Sequence, residues 1–413
     1  MRILLVTQYF YPENFKSNDI AFELVKRGHE VDALVGIPNY PEGKYYQGYG
    51  VFKKRHEVVN GVNIYRVFQV PRGNKMWFLP INYFSYVLSA SLSVLFRFVW
   101  KKYDCVIGHT TSPIFQAYPA ILIKTIKRIP FYNWILDLWP PTIMNNQNTI
   151  LKKLAVKIVE KQVRFIYKKC DQILVSSKRF TSHVIKYGGD KNRITYFPNW
   201  SDDMSLSKSS SCVDDLCLPQ GFVIMMAGNL GVSQDLETVS KLIIETRNIP
   251  NLLWVFVGDG SKKPWLDKFI ADNNLSERCF AIGRKPYSDM PYYLSKADAF
   301  IISLGAGSEQ LDSVVPARLQ SYMSAGKPIL GLIGKGGADV IEESQCGYSV
   351  PSGDYLSMAS IINKVVQDPQ GFVSMGQQGR LFYEKHFTKE ICINHLCDII
   401  NKSENEKRLQ NTL

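Results

Sequence analysis

The chain has 413 residues, 46% hydrophobic and 21% charged, a globular composition with room for two domains of ordinary size. Lys and Arg number 49 against 37 Asp and Glu, and the formal charge of +12 suits anionic partners such as nucleic acid, phosphorylated metabolites or an anionic membrane face. The eight cysteines form no CxxC pair and several lie in apolar runs. They read as reduced, buried thiols of a cytoplasmic protein, which excludes a disulfide framework and a cysteine-ligated metal.

Taken in chain order, the opening "MRILLVTQYFYPE" is too short in its apolar run for a signal peptide and has no small-residue cleavage site. It predicts the first strand of a parallel sheet. Further strands follow at "EVDALVG", "VNIYRVF", "CVIGHT", "FYNWILD", "QILVSS" and "RITYFPN", with helices between them such as "NDIAFELVKRGH". Residues 77–100, "WFLPINYFSYVLSASLSVLFRFVW", approach the length of a membrane span and carry Arg97 as their one charge. Pro80, Asn82 and four serines interrupt the run, and a strand of the same alternating pattern follows at once. A helix buried in the domain or lying at a membrane surface is therefore expected rather than a span.

The polar, Ser- and Asp-rich stretch "PNWSDDMSLSKSSSCVDDLCLPQG" is the expected linker, after which the alternation restarts. Strands are predicted at "FVIMMAGN", "LLWVFVGDG", "CFAIGR", "AFIISL", "PILGLI" and "GYSV", with helices at "DLETVSKLIIET" and "SMASIINKVVQD". The expected domains are 1–200 and 201–385, followed by a helical tail at 386–413 that frays at its end. This is an α/β chain of two Rossmann-like halves, and open sheets of this kind bind ligands beyond their strand C-termini. No G-x-G-x-x-G follows the first strand and no P-loop occurs, which counts against dehydrogenases and P-loop enzymes.

In "VVPARLQSYMSAGKPIL", Pro316 suits a helix start and Gly326 a left-handed stop. Arg318 then falls in the first helical turn, where the dipole disfavours a cation. Either the side chain is simply solvated or an anion binds there. No D-x-D occurs, and the pairs Asp202–Asp203 and Asp214–Asp215 read as solvating the linker rather than binding metal.

The ordered set "KRGHEVDALVG", "DCVIGHT", "LDLWP", "AGNLG", "VGDG", "IGRKPYSDMPYYLSKADAFIISL" and "VPARLQSYMSAGKPIL" resembles family-four retaining glycosyltransferases of the glycosyltransferase-B (GT-B) fold. It is most similar to the bacterial branch of O-antigen and capsule gene clusters described as L-fucosamine transferases. The resemblance implies two facing Rossmann-like domains with an interdomain cleft. It also implies sugar transfer from a nucleotide diphosphate sugar, UDP-linked and in one version UDP-N-acetyl-L-fucosamine, to an undecaprenyl-diphosphate-linked saccharide. No metal, cofactor or nucleic acid is implied, and the location is the inner membrane face, peripherally bound.

The same resemblance assigns sites. His109 falls where the family carries a His near the donor sugar, the alternative being a His satisfied at a sheet edge. Asp137 accepts from the acceptor hydroxyl or caps the turn before Pro140. Gly228 and Gly231 let backbone approach the donor, while Asn229 and Gln234 occupy the regions of the family's diphosphate-binding Arg and Lys. Arg318 is then the replacement cation, with Lys335 the second candidate. Ser321 stands where the family's ribose-binding Glu is expected, and Glu309 or Asp312 would have to restore the lost carboxylate. Gly283 and Arg284 fall where relatives read the nucleobase, unless the loop is turn chemistry only. The family's paired glycines before the first helix are missing, so Lys16, Ser17 and Asn18 are expected to face the cleft instead. Two rival readings are a nucleotide-sugar 2-epimerase of the same fold and a non-catalytic membrane scaffold. UDP release or UDP-sugar interconversion would discriminate them.

Overall fold

A computed structural model describes residues 1–73, 78–141, 150–205 and 216–412, and the side chains of all of these except 150–152 and 403–412. Among the described residues the chain divides into two compact units, Met1–Phe197 with Ile393–Leu413, and Pro198–Cys392.

The first unit is built on eight strands: β1 (Arg2–Val6), β2 (Glu30–Gly36), β3 (His56–Val59), β4 (Val62–Val67), β5 (Cys105–Thr110), β6 (Phe131–Ile135), β7 (Gln172–Val175) and β8 (Ile194–Tyr196). They lie in the order β3-β4-β2-β1-β5-β6-β7-β8. All pair in parallel except β3 with β4. β1, β2 and β5 are buried along almost their whole length. A parallel strand covered on both faces needs apolar side chains throughout, which is why these runs are continuous rather than alternating. β3 is the strand that the sequence pattern does not announce. It is a half-exposed edge, "HEVV", whose side chains alternate between exposed and partly buried.

The helix Phe78–Phe96 is the crossover from β4 to β5, both in one sheet, so it packs on that sheet. Asn82, Tyr86, Ala90 and Val94 recur at four-residue spacing and are fully buried. The Tyr86 hydroxyl donates to Leu34 O at 3.3 Å, and Asn82 Nδ2 donates to Val70 O at 2.5 Å. One flank of the helix is thus a domain core, as the interrupted apolar run predicts. The opposite flank is not covered by this unit.

The second unit carries β9 (Phe222–Ala227), β10 (Leu252–Val257), β11 (Cys279–Gly283), β12 (Ala299–Ser303), β13 (Ile329–Leu332) and β14 (Gly347–Val350), all parallel, in the order β11-β10-β9-β12-β13-β14. Two apolar clusters fill the two faces of the sheet, one around Met225, Val255 and Phe300, the other around Ile224, Trp254 and Ile301. The side-chain period of two along each strand sends neighbours to opposite faces, which accounts for the pairing.

The expected helical tail is anchored ahead of its polar end: Ile393, Leu396 and Ile400 are buried, and the backbone carbonyl of Ile400 accepts from the Tyr132 hydroxyl at 3.4 Å. One expectation needs correction. Asp202 and Asp203 do not merely solvate the linker. Asp203 takes a fork from Arg380 at 2.5 and 2.9 Å, and this hydrogen bonding holds its carboxyl well below the usual range. Asp202 pairs with Lys389 at 3.3 Å. Asp214 and Asp215 lie outside the described residues.

Candidate active site

The site is assembled around the ends of β9, β10 and β11. After Ala227 the chain turns at Gly228 with φ of 116°, and after Val257 it turns at Gly258 with φ of 147°. These conformations suit glycine, and a Cβ on Gly258 would stand 1.9 Å from Gly228 O. The two turns can therefore lie backbone to backbone. The helix Ala317–Ser324 is pinned beside them by Tyr322, whose hydroxyl accepts from Ala227 N at 2.6 Å and donates to Ala227 O at 3.0 Å. Its ring stacks on Phe300 with centroids 4.1 Å apart.

Arg318 lies one turn before Tyr322 on the same helix face. Its Nη2 donates to Asn229 O at 3.0 Å, while Nη1 is buried with no hydrogen-bond partner. The helix starts at Pro316 without a side-chain cap. A cation with an unspent donor therefore stands beside open backbone N–H groups, an arrangement that an anion completes. Arg318, Gly228, Asn229, Arg284 and Ser321 line one cavity of about 340 Å³, together with Lys285 and Asp259. Three cations against one carboxylate make it a place for a diphosphate-sized anion. Lys285 and Asp259 are additions that the structure makes. Their signals, "GRK" and "VGDG", are in the sequence, but only the fold turns them toward one space.

Other predicted residues fall elsewhere. Gln234 folds back, its Oε1 accepting from Gly231 N at 3.0 Å, and so caps its own turn instead of replacing a diphosphate-binding Lys. Gly231 has an extended φ of −103°, and a Cβ there would meet Asn229 Nδ2 at 2.8 Å, so it serves that turn. Gly283, with φ of 74°, accepts from Gly258 N at 2.8 Å and supports the turn behind the cavity. Glu309, Asp312 and Lys335 line a second cavity of about 630 Å³, beyond β12, β13 and β14. There Asp312 Oδ1 accepts from Lys335 N at 3.2 Å and caps the helix Lys335–Ser344. Neither carboxylate joins Ser321, so the expected ribose clamp is not restored by them.

In the first unit, His109 and Asp137 sit at or just past the ends of β5 and β6. His109 is buried, and with no charged partner its pKa is pushed down to about 3, leaving a neutral imidazole. Nδ1 lies 3.3 Å from Thr7 Oγ1, which in turn donates to Tyr9 O at 3.3 Å. With that hydroxyl proton spent, Nδ1 carries the ring proton and Nε2 is an acceptor, buried and without a partner. A substrate hydroxyl would satisfy it. The sheet-edge alternative explains only one of its two nitrogens.

Asp137 Oδ2 accepts from Ser112 Oγ at 2.8 Å, and that oxygen accepts from Trp139 Nε1 at 3.2 Å. Its carboxyl thus ties the loop after β6 to the loop after β5. Burial raises its pKa, partly opposed by the Ser112 bonds. Lys16 pairs with Asp19 on its own helix at 3.7 Å. Ser17 Oγ donates to Tyr9 O at 3.2 Å and Asn18 Oδ1 accepts from Tyr11 N at 3.0 Å, so both are spent on the loop. That loop is built around a residue the sequence did not single out. Buried Glu13 accepts from Asn39 N at 2.8 Å, Tyr40 N at 2.6 Å and Phe10 N at 3.3 Å. Burial still pushes its pKa up to about 7.

With this geometry in hand, likeness to known proteins is informative. Residues 17–200 match the family described as Glycosyl transferase 4-like domain, and residues 219–382 match Glycosyl transferases group 1. WcaI of Escherichia coli (strain K12), named for glycosyl transfer in colanic acid biosynthesis, is 22% identical over 342 residues, 79% of this chain and 82% of WcaI. An Escherichia coli UDP-Gal:alpha-D-GlcNAc-diphosphoundecaprenol alpha-1,3-galactosyltransferase is 24% identical over 67% of this chain and 70% of its own. Among solved structures, Anabaena Alr3699/HepE in complex with UDP superposes with a TM-score of 0.69 at 14% identity, covering 97% of this chain and 100% of that one. Sucrose-phosphate synthase from Thermosynechococcus elongatus gives 0.71 at 14%, covering 97% and 98%. With a 4-like domain followed by a group 1 domain on two parallel-sheet units, the chain belongs to the glycosyltransferases of the GT-B fold.

Proposed function

We propose that this glycosyltransferase moves a sugar, with retention, from a UDP-linked donor to an undecaprenyl-diphosphate-linked saccharide in O-antigen, capsule or exopolysaccharide synthesis. The observation that carries the reading is the cationic cavity of the second unit, where Arg318 offers a buried, unspent donor beside Arg284 and Lys285. The donor diphosphate lies there, and Ser321 and the turns at Gly228 and Gly258 contact the remainder of the nucleotide. UDP-linkage and a lipid-diphosphate acceptor are supported by what the Alr3699/HepE and galactosyltransferase names state of those proteins.

In the reaction, the acceptor oxygen bonds the anomeric carbon on the face from which the diphosphate departs. The acceptor proton passes to the departing phosphate oxygen, giving UDP and the lengthened saccharide. Arg318 stabilises the charge that grows on the leaving group, so no divalent ion is needed. His109 Nε2 accepts from a sugar hydroxyl, and Asp137 orients the acceptor.

The test incubates purified protein with UDP-, GDP- and dTDP-sugars and a lipid-diphosphate saccharide, with and without EDTA. Acceptor-dependent UDP release and a product one sugar heavier, unchanged by EDTA, are expected. Conversion of one UDP-sugar into another, or activity restored to chelated enzyme by Mg²⁺, would contradict the reading.

A further inference from the structure

Between β1 and the helix Lys16–Lys26 one side chain is buried that sugar transfer as described does not use. Glu13 is 2% exposed, although a carboxylate in a loop is most easily left in water. Its two oxygens are engaged differently. Oε1 accepts from Asn39 N at 2.8 Å and Tyr40 N at 2.6 Å, both in the loop after β2. Oε2 accepts from Phe10 N at 3.3 Å, in the loop after β1. One carboxylate thus ties two strand-end loops through backbone donors that need acceptors wherever water is excluded.

The hold on Phe10 reaches His109. Phe10 N–H and Tyr9 C=O are the two ends of one planar peptide unit, so fixing the first aims the second. Tyr9 O accepts from Thr7 Oγ1 at 3.3 Å and from Ser17 Oγ at 3.2 Å. Because the Thr7 hydroxyl spends its proton there, its oxygen is left to accept from His109 Nδ1, 3.3 Å away, and Nε2 stays an acceptor. If the Tyr9 carbonyl turned away, Thr7 could donate to Nδ1 instead. The ring proton would then move to Nε2 and turn the acceptor into a donor.

We propose that Glu13 is a positioning residue: by gripping the Tyr9–Phe10 peptide it keeps His109 in the tautomer whose Nε2 accepts from the sugar hydroxyl, and protonation of Oε2 releases that grip. A proton taken from water onto Oε2 meets the Phe10 N–H donor to donor, while Oε1 keeps both bonds to the loop after β2. Burial brings the Glu13 pKa to about 7, opposed by the three N–H groups and by Arg66, so the release falls in the neutral range. The charged and titratable groups that face Glu13 are Arg66 on β4, Tyr9 on its own loop and Tyr46 after β2. Arg66 is paired with Glu57 at 2.5 Å, and burial raises both phenols, so neither tyrosine ionises in this range. The inference rests on the role given to His109 in sugar transfer.

E13Q is the test, because its amide keeps Oε1 for Asn39 and Tyr40 while Nε2 faces the Phe10 N–H, as the protonated acid does. Acceptor-dependent kcat of the wild type should fall about threefold to fivefold from pH 8 to pH 6. E13Q should be as slow at pH 8 as the wild type is at pH 6, with a flattened profile and unchanged UDP affinity. In a His109→Ala background E13Q should add nothing, since both changes remove the same hydrogen bond. Hydrogen exchange without substrates reads the grip directly and does not depend on the reaction. Corrected for intrinsic rate, Phe10 N–H should lose about tenfold protection between pH 8 and pH 6 in the wild type, and E13Q should lack that protection at both. A profile as steep in E13Q as in the wild type, or an E13Q penalty that persists in full on His109→Ala, would overturn the proposal. So would Phe10 protection that neither pH nor E13Q alters. The expected exchange result without any sugar transfer would count against the proposed function alone.

Discussion

The strand ends of the two units solve opposite electrostatic problems. In the second unit Arg284, Lys285 and Arg318 gather basic side chains around an open cavity, and one donor of Arg318 is unspent. In the first, His109 is held neutral and Asp137 is pushed toward its neutral form, both by burial. A diphosphate leaving group needs fixed positive charge, which costs little when water and backbone share the site. A sugar hydroxyl needs aligned neutral acceptors and donors, which a buried imidazole with a free Nε2 supplies. Sequence alone shows a His and an Arg at two strand or helix ends; only their surroundings separate the two tasks.

The largest consequence of that contrast is acid sensitivity in the first unit. The pKa of His109 is about 3 in the folded chain against an ordinary 6.5. The native state therefore binds fewer protons than the unfolded one, and stability falls as pH drops below about 6.5, by up to about 4 kcal/mol on approach to the folded value. Glu13 acts in the opposite sense. Its folded pKa of about 7 exceeds the ordinary 4.5, so its contribution grows as pH falls between those values. Urea unfolding of wild type and His109→Gln across that range separates them: the variant should lose the acid-side decline that His109 causes. An identical slope in both would mean that His109 is not buried as described.

In the second unit the matching test is geometric. Gly258→Ala places a Cβ against Gly228 O at a backbone conformation that L-residues avoid, and should cost about 3 kcal/mol in stability and most of the UDP affinity. Gly353→Ala also sits at a positive φ, of 89°, but in open space, and should leave UDP affinity unchanged. Equal UDP affinity in Gly258→Ala would show that the two turns do not form the donor site.

Smaller again is the effect expected of His109→Ala on the reaction. One neutral hydrogen bond lost as charge develops should lower kcat by about tenfold at most, with donor affinity nearly unchanged. Steady-state kinetics reporting a raised KM at constant kcat would make His109 a binding residue only.

Most of the fold was legible because buried parallel strands are continuous apolar runs. "EVDALVG" and "CVIGHT" match β2 and β5 residue for residue. β3 escaped because an exposed edge strand has no such run. Arg318 was legible as a cation placed against a helix dipole. The separation of Glu309, Asp312 and Lys335 into another cavity was not, because it depends on which strand ends adjoin in the sheet order. Nothing in spacing tells that Gln234 folds back on Gly231.

The central claim is that Arg318 replaces the missing cations of the donor site, and calorimetric titration of UDP into wild type, Arg318→Ala and Arg318→Lys tests it most directly. Removing the guanidinium should weaken UDP by about 1.5–3 kcal/mol, the range for hydrogen bonds to charged groups. Lysine should restore only part, since it keeps the charge and loses the fork. Melting curves without ligand should barely move, because the helix dipole disfavours the charge that Ala removes. Equal UDP affinity in all three proteins would contradict the account and return the diphosphate to Arg284, Lys285 or backbone alone.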